Sequence, residues 1–433
     1  MSTQAVVAGA RDVVAGLLGA GFNGAVRMPG EVEYDEQRRS VIPSVDSRPM
    51  LIAEAYGRTD VQAAVRTARE YGVPLAVQAT GHGTRVPADG GILLKTTAMT
   101  TVLIDPERRI AKVAPGARWG AVLDAARQFG LAPLSGSHRD VGVTGYTLGG
   151  GVGWLARKYG FAADSVIRAE LVTADGRFVT ASAEQHPDLF WAIRGGTGNF
   201  GVVTSLEFRL YPVREVHAGI VYYGIDRAAA ILRRYRDWTA TIPNELSTAV
   251  VLTRIPGTEQ RAVAIKVLYA GPSELGEHLL KPLFEVGGPR LAGELRTIEY
   301  ADAAMGGTPA RHLDFLDTLT DEVIDVVTEL EDATVEIRHW GGAMANPGPG
   351  AGPVGHREAP YSLIIDREVA VSSGGAGLRT ALLPCSGRTF VNFLGDPGRA
   401  DTAYSVKDLQ RLREVKRAYD PANLFHLNAN IRP

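Results

Sequence analysis

The chain has 433 residues, of which 22% are charged, and its formal net charge at pH 7 is −2. This length exceeds what one hydrophobic core usually serves, so we expect two domains. The near-zero charge argues against nucleic acid as a main partner, and we expect a small-molecule ligand. No run of about 20 uncharged apolar residues predicts a membrane span.

The single cysteine, Cys385, excludes an intramolecular disulfide and any site built from several thiolates. The N-terminal segment carries Arg11 and Asp12 inside its apolar stretch and lacks a basic start, which predicts a short amphipathic helix and no signal peptide. No Asn-x-Ser/Thr acceptor indicates secretion. These features favour a cytoplasmic protein.

Two segments, residues 19–24 and 196–201, match the pattern Gly-x-Gly-x-x-Gly. In a dinucleotide-binding βαβ unit this pattern follows a strand and opens a helix. Here the first match follows a predicted helix and leads into the short strand 25–28, and the second precedes the apolar strand 202–210. Neither match predicts a Rossmann fold.

A β-α-β unit is predicted next. Asp60 is the expected N-cap of a helix whose apolar positions repeat at helical spacing until a glycine stops it. The extended run 75–80 follows and ends in Gly81-His82-Gly83. Glycines lack side chains, so another group can approach the backbone here. By itself, a histidine in a glycine turn is a weak indication of a ligand site.

Further short strands are predicted at residues 91–94, 101–105 and 110–113, followed by a helix at 119–129. We expect a second small α+β subdomain to begin near Asp105. A hairpin across an Asp-Gly turn is predicted later, from strands at 169–173 and 177–180.

The densest glycine region lies between residues 141 and 154. Five of its glycines fall within nine residues, from Gly145 to Gly153, which is too many for a helix or strand chosen for its own stability. Backbone N–H groups in such a loop can bind a pyrophosphate without a lysine, which suits a dinucleotide-like ligand. A mobile linker is the alternative, but the apolar side chains within the region argue against a solvated tether.

Composition changes after Tyr211-Pro212, and extended runs then alternate with amphipathic helices. The runs are 219–225, 246–255, 262–269, 334–340 and 361–366, and the helices are 228–239, 273–284 and 321–331. This order predicts an antiparallel sheet covered on one face by helices, with the other face free to roof a pocket. Residues 346–355, rich in Pro and Gly, predict a loop and a candidate lid. A strand at 390–394 and a helix at 405–419 precede the tail.

These segments together resemble the covalent-flavin oxidoreductases of the berberine bridge enzyme-like family, which share the flavin-binding fold of vanillyl-alcohol oxidase. The resemblance covers nearly the whole chain, and its motifs occur in the family's order. They are Gly81-His82, Gly149-Gly150-Gly151 with Gly153-Trp154, and the residues 188–196, 199–203, 390–396 and 419–425. The implied α+β fold has a two-part FAD-binding domain at 1–212, a substrate domain at 213–388, and a segment at 389–433 that completes the FAD-binding domain.

By this resemblance, His82 binds FAD covalently, through a bond from an imidazole nitrogen to the 8α-methyl group of the isoalloxazine. A neutral imidazole is a capable nucleophile, and the tether fixes the position of the ring. Many relatives have a second link through a cysteine shortly before the glycine region. That position falls near His138 here, and Cys385 is far away in sequence, so we expect a single bond.

The resemblance implies a wider set of cofactor-binding residues around His82. They are Gln78, Ala79, Thr80, Gly81, Gly83, Thr84, Val141, Gly142, Thr144, Gly145, Gly150, Gly151, Gly153, Trp154, Asn199, Gly201, Val203, Asn428 and Asn430.

The chain also departs from the family pattern. Gln78-Ala79-Thr80 stands where relatives commonly place Arg and a further glycine, and Thr197 replaces a usual glycine. Asp408-Leu409 stands where an Asn-Tyr pair is often found. Because that tyrosine often contributes to substrate chemistry, the identity of the base cannot be carried over.

The implied reaction is hydride transfer from a substrate C–H to flavin N5, assisted by deprotonation of an adjacent O–H or N–H, with O2 then reduced to hydrogen peroxide. The base must be a side chain within reach of the substrate. Alternation along 334–340 turns Val335 and Ile337 toward the helices and Glu336, Arg338 and Trp340 toward the pocket. The further candidates are Tyr222 or Tyr223, Asn392 and Tyr404, each of which is equally well explained as a satisfied polar or packing residue.

Three functions stay open. The first is an FAD oxidase with one covalent link, and small residues near the flavin, such as Val141, Thr144 and Gly145, favour access of O2. The second is a flavin-dependent oxygenase, cyclase or dehydrogenase of secondary metabolism. The third is a non-enzymatic binding role, which the missing Asn-Tyr pair favours. His339 and His356 have no partner at metal-ligand spacing, so we expect no metal, and the oligomeric state stays open.

Overall fold

Three β-sheets organise the part of the chain that the computed structural model describes, residues 3–303, 305–367 and 387–433. The helices are α1 Thr3–Gly19, α2 Val32–Gln37, α3 Arg58–Tyr71, α4 Trp119–Arg127, α5 Val143–Leu148, α6 Ala156–Tyr159, α7 Ala162–Ser165, α8 Pro187–Ile193, α9 Ala228–Thr239, α10 Ser273–Gly287, α11 Asp321–Thr328 and α12 Val406–Tyr419. The strands are β1 Ala25–Arg27, β2 Leu51–Glu54, β3 Leu75–Gln78, β4 Ile92–Lys95, β5 Val102–Asp105, β6 Ile110–Val113, β7 Val166–Val172, β8 Phe178–Ser182, β9 Val202–Arg209, β10 Glu215–Gly224, β11 Leu246–Arg254, β12 Arg261–Tyr269, β13 Ala292–Glu299, β14 His312–Leu316, β15 Val335–His339 and β16 Tyr361–Ile365. Cys385 lies outside the described residues.

The first sheet has the order β1-β2-β4-β3, with β4 parallel to both of its neighbours. Helix α3 precedes β3 and ends at Gly72, whose φ of +61° is the left-handed conformation that suits glycine. The prediction that Asp60 is the N-cap of α3 was wrong, because the helix already begins at Arg58 and Gly57 is its N-cap. Asp60 instead lies in the first turn, where its carboxylate accepts the N–H groups of Tyr56 and Asn23.

The second sheet is antiparallel, in the order β5-β6-β9-β7-β8. The predicted hairpin is present as β7 and β8, and Gly176 in its turn has a φ of +77°. Strand β5 already belongs to this sheet, so the change of sheet falls before Val102, slightly earlier than the predicted division near Asp105.

The third sheet has seven antiparallel strands, in the order β13-β10-β12-β11-β15-β16-β14. Side chains such as Ile265, Val335 and Ile337 join α9, α10 and α11 in one core, which confirms the predicted helix-covered face. The opposite face packs against the glycine region through Trp154 and Ala249. The edge strands β13 and β14 were not predicted, because their residues do not show the strict alternation that marked the central strands.

Two segments differ from expectation. Residues Val143–Leu148 form a helix within the glycine region, because burial of Val143 and Leu148 in the second core outweighs the low helix propensity of the segment. Residues Val391–Phe393 form a 3₁₀ turn where a strand was expected. Here Asn392 bonds to the backbone of the glycine region through both side-chain polar atoms, so the segment is held without a neighbouring strand.

The last segment of the chain returns to the first two sheets. The buried ammonium group of Lys416, on α12, donates to the carboxylate of Asp420 at 2.7 Å and to the carbonyl groups of Asn199 and Phe425. Phe425 enters the core of the first sheet, and Ile431 enters the core of the second. The tail therefore closes the unit formed by the N-terminal half of the chain. Among the described residues, no helix combines the length and apolar character needed to cross a bilayer.

Candidate active site

The loop after β3 places His82 between two glycines. Gly81 has a φ of +80°, and the Gln78 amide nitrogen lies 2.5 Å from the point where a Cβ of residue 81 would stand, so only glycine suits this position. Gly83 has open space where its Cβ would stand. Nδ1 of His82 lies 3.0 Å from the hydroxyl oxygen of Thr80. The ring is half-buried at the end of the first sheet and is accessible to a ligand.

Burial and nearby positive groups keep the His82 ring neutral. Burial lowers its pKa below the ordinary value, Arg118 and His138 lower it further, and Asp140 acts in the opposite direction. The ring centroids of His82 and His138 are 6.5 Å apart. A neutral imidazole has the lone pair that a nucleophile or acceptor needs, so the local electrostatics suit a covalent role.

The glycine region faces the His82 loop and has little side chain of its own. Gly150 and Gly151 have φ values of +109° and +74°, and a Cβ on Gly151 would stand 2.4 Å from the Tyr146 ring. Gly145 has open space where its Cβ would stand. Trp154 closes the region, and its indole N–H donates to the Ser137 hydroxyl at 3.0 Å. A large ligand can therefore approach this backbone closely.

Asn199 attaches the chain's tail to the glycine turn after α8. Its side chain is fully buried, donates to the carbonyl groups of Gly196 and Ala429, and accepts the N–H of Ile431. Thr197, in the same turn, has a φ of +59°, the left-handed conformation that the family's glycine would adopt without strain. The turn thus keeps the geometry expected of a glycine while carrying a β-branched residue.

Buried polar atoms in these segments have no partner among the described residues. They include the hydroxyl oxygens of Thr144 and Thr147 and the amide oxygens of Asn428 and Asn430. Buried polar groups normally have hydrogen-bond partners, so these four atoms indicate a bound ligand with several polar groups. The phosphates, ribityl hydroxyls and pyrimidine edge of FAD have such groups, and the segments fit FAD.

Several other expected cofactor residues pack in the protein interior. Val203 lies in the second core, Val141 packs against it, and a Cβ on Gly201 would meet the Val172 carbonyl oxygen at 2.7 Å. A Cβ on Gly153 would meet the carbonyl of Ser135. Val203 therefore packs within β9, and Gly201 and Gly153 allow neighbouring backbone to approach closely.

The sheet face opposite the helices carries a buried charge cluster. The Glu336 carboxylate accepts from the ammonium of Lys266 at 3.2 Å and from the hydroxyl of Thr308 at 2.9 Å. Lys266 also donates to the Gly306 carbonyl at 3.4 Å. Val335 and Ile337 lie in the core on the helix side, so the expected alternation along β15 is confirmed.

Arg338 joins this sheet to the glycine region. Its guanidinium donates to the Gly153 carbonyl at 2.6 Å and lies over the Trp154 ring at 4.3 Å. Burial lowers its pKa, although Glu336 and nearby tyrosines act in the opposite direction. Arg338 therefore holds the two halves of the site together.

An open cavity of about 350 Å³ lies beside the charge cluster, at the β10–β13 edge. Its lining combines the apolar residues Ala218, Ile220, Ile298 and Met305 with the charged residues Glu294, Arg296 and Asp302. Ile220 pairs directly with Lys266 across β10 and β12. The volume suits a small molecule.

Comparison with known proteins agrees with this geometry. A family model described as FAD binding domain matches residues 49–182, and one described as berberine and berberine like matches residues 389–432. The (R)-6-hydroxynicotine oxidase of Paenarthrobacter nicotinovorans is 29% identical, over 89% of this chain and 92% of that protein. An uncharacterized FAD-linked oxidoreductase of Bacillus subtilis is 28% identical, over 95% and 97% of the two chains.

Solved structures show the same architecture. The 6-hydroxy-D-nicotine oxidase of Arthrobacter nicotinovorans superposes with a TM-score of 0.85 at 26% identity, over 96% of this chain and 99% of that chain. A variant of berberine bridge enzyme superposes with a TM-score of 0.81, over 98% and 100% of the two chains, and at 18% identity it shows the fold alone. The chain is an FAD-dependent oxidoreductase that is similar to the berberine bridge enzyme-like proteins. Its fold is that of the vanillyl-alcohol oxidase type, as the resemblance implied.

Two of the catalytic candidates predicted from the sequence form hydrogen bonds with backbone groups. Asn392 accepts the N–H of Gly151 and donates to the carbonyl of Tyr146, and Tyr404 donates to the carbonyl of Gly195. Burial raises the pKa of Tyr404 far above its usual value. Tyr222 packs at the edge of the cluster around Trp154, and burial raises its pKa. The structure brings Glu336 and Arg338 to the site but gives Asn392 and Tyr404 positioning contacts.

Lys266 and Thr308 were not among the expected site residues of the oxidoreductase. Lys266 interrupts the apolar residues in the middle of β12, and this pattern is visible in the sequence. Its pairing with Glu336 depends on strand order, which the sequence does not show. In the described parts of the chain, no group of three or more potential ligands could hold a metal ion.

Proposed function

We propose that the protein is an FAD oxidase whose flavin is linked covalently through His82. FAD, when bound, accepts a hydride from the substrate at N5 and passes the electrons to O2, giving hydrogen peroxide. The observation that carries this proposal is the half-buried imidazole of His82, whose pKa is lowered by burial. Thr80 connects it to a glycine region in which the buried hydroxyl groups of Thr144 and Thr147 have no partner among the described residues. The covalent bond would fix the ring between the His82 loop and the glycine region.

A single covalent link is part of the proposal. His138 lies near His82, in the region where many relatives place a second linking cysteine. An imidazole at this position lacks the thiolate that such a link requires. The flavin would therefore be anchored at one point and bound elsewhere by hydrogen bonds.

We propose Glu336 as the base. Its carboxylate lies on the pocket face, and Lys266 and Thr308 fix its orientation and stabilise its negative charge. In the reaction Glu336 takes the proton from the substrate O–H or N–H, while the adjacent C–H loses its hydride. Arg338 keeps the sheet against the glycine region, and Tyr222 contributes packing near the substrate.

The substrate is proposed to be a small molecule with a hydroxyl or amine group next to the oxidised carbon. Relatives include a 6-hydroxynicotine oxidase and a xylooligosaccharide oxidase of Thermothelomyces thermophilus, which is 27% identical over 89% of this chain. The cavity is lined by both apolar and charged side chains, which favours a small molecule that carries polar groups beside an apolar part.

A panel of aromatic and aliphatic secondary amines, benzylic alcohols and oligosaccharides tests this function. An oxidase consumes one O2 and releases one hydrogen peroxide per substrate oxidised, and we expect this stoichiometry with an amine or alcohol of apolar body. Product that contains an oxygen atom from O2 without equivalent peroxide would assign an oxygenase. Flavin reduction that only an artificial acceptor reverses would assign a dehydrogenase.

A further inference from the structure

The hydroxyl of Thr80 connects the His82 loop and the glycine region. It lies 3.0 Å from Nδ1 of His82 and accepts the N–H of Gly142 at 3.2 Å. Gly142 opens the glycine region as the N-cap residue of α5. One side-chain oxygen thus bridges the His82 ring and the start of the glycine region.

The neighbouring backbone is shaped around this side chain. A Cβ on Gly142 would stand 2.9 Å from the Thr80 hydroxyl oxygen and 3.1 Å from its methyl group, so Thr80 occupies the space that the glycine leaves. Gly81 is fixed in a left-handed conformation directly between Thr80 and His82. Packing against Gly142 therefore fixes the Thr80 side chain, and the conformation of Gly81 fixes the position of His82 relative to it.

We propose that Thr80 is a positioning residue that fixes the rotation of the His82 ring for covalent attachment of the flavin. This inference rests on the proposed role of His82 as the attachment point. A hydroxyl both donates and accepts, so it holds either neutral tautomer of the imidazole, and one hydrogen bond at Nδ1 sets the ring plane. Attachment requires a ring nitrogen to face the flavin methyl group, and misplacement by about 1 Å slows such reactions by about 10²-fold.

Charged groups around His82 cannot perform this role. Arg118, His138 and Asp140 face the ring and influence its charge, and the structure gives none of them a hydrogen bond to it. Arg118 and His138 instead contact Asp140. Among the described residues, Thr80 is the side chain that bonds to the ring of His82.

The test compares Thr80→Val with Thr80→Ser in the purified full-length protein. Valine keeps the shape of threonine and removes the hydroxyl, whereas serine keeps the hydroxyl. Intact mass gives the fraction of chains with covalent flavin, and incubation of the remainder with added FAD gives the attachment rate. We expect the rate of Thr80→Val to fall at least about tenfold and that of Thr80→Ser to stay within about twofold of the unsubstituted protein.

Thr204→Val is the matched control. Thr204 is buried in the second sheet and donates one hydrogen bond, to the Glu170 carbonyl, so this variant also loses a single threonine hydroxyl. Thermal unfolding of each variant measures general damage. We expect Thr204→Val to attach flavin at the unsubstituted rate.

The outcomes separate the two proposals. Normal attachment in Thr80→Val overturns the role of Thr80 and leaves His82 as the attachment point. An equal loss in Thr204→Val, or no recovery in Thr80→Ser, shows a structural effect and also overturns it. A purified unsubstituted protein that carries no covalent flavin overturns the proposed attachment itself, and the role of Thr80 with it.

Discussion

At the scale of single residues, the sequence predicted which face of the sheet Glu336 lies on but not which residues it contacts. The alternation of β15 placed its side chain on the pocket face, because the two faces of a strand differ in burial. Its contacts with Lys266 and Thr308 depend on strand order and on the path of a loop, which no local pattern encodes. The left-handed conformation of Thr197 could likewise not be predicted, because β-branched residues rarely adopt it.

Substitution of Glu336 tests its role as the base. Glu336→Gln keeps the size of the side chain and removes its capacity to take a proton, so we expect kcat to fall by about 10² to 10⁴ while flavin content stays unchanged. Glu259→Gln is the control, since the Glu259 side chain is 99% exposed, and it should leave kcat unchanged. A Glu336→Gln variant with normal kcat would remove Glu336 from the chemistry.

At the scale of secondary-structure elements, long periodic segments were predicted well and edge elements poorly. Helix α9 occupies the predicted residues, and the central strands of the third sheet are all present. Strands β13 and β14 were missed, because edge strands lack neighbours on one side and their sequences are less constrained. The helix α5 was missed because packing stabilised it against its own propensity.

The edge strand β14 carries a buried carboxyl group that makes stability depend on pH. Burial raises the pKa of Asp314 to about 7, while the N–H of Phe315 and the nearby Arg388 and Arg399 act in the opposite direction. The folded state therefore retains a proton that the unfolded chain releases near pH 4. The contribution of Asp314 to the free energy of unfolding is greatest below about pH 4, and it declines as the pH rises to about 7.

Substitution of Asp314 by Asn should remove this dependence. We expect Asp314→Asn to be more stable than the unsubstituted protein by about 2–4 kcal/mol at pH 8, with a smaller difference at pH 5. Urea unfolding at the two pH values measures the difference. Equal stabilisation at both values would show that the carboxyl group of Asp314 does not titrate in this range.

At the scale of the whole molecule, the sequence predicted the order of the units but not how they dock. Arg157, on α6, crosses to the third sheet, where it donates to the Leu246 carbonyl at 2.8 Å and to the carbonyl groups of Trp340 and Pro243. Burial and this guanidinium lower the pKa of His339 to about 3, so that ring stays neutral. Such a contact joins residues far apart in the chain, so no local sequence pattern predicts it.

Arg157→Lys tests whether this contact holds the units together. Lysine keeps the positive charge but has no planar set of five donors, so several carbonyl groups lose their partner. We expect a loss of about 2–4 kcal/mol in the free energy of unfolding and weaker retention of non-covalent flavin. Arg233→Lys, at an exposed ion pair, should change stability by less than about 0.5 kcal/mol. Equal effects in both variants would contradict the role of Arg157.

Covalent attachment of the flavin at His82 can be tested directly by locating the flavin in the purified protein. Purified protein is denatured in acid, the precipitate is digested, and peptide masses locate the flavin, with His82→Ala as the matched variant. A yellow precipitate with flavin on the peptide that contains His82, and colourless precipitate from His82→Ala, is the predicted result. Flavin released entirely into the supernatant, or flavin attached to another residue, would contradict covalent attachment at His82.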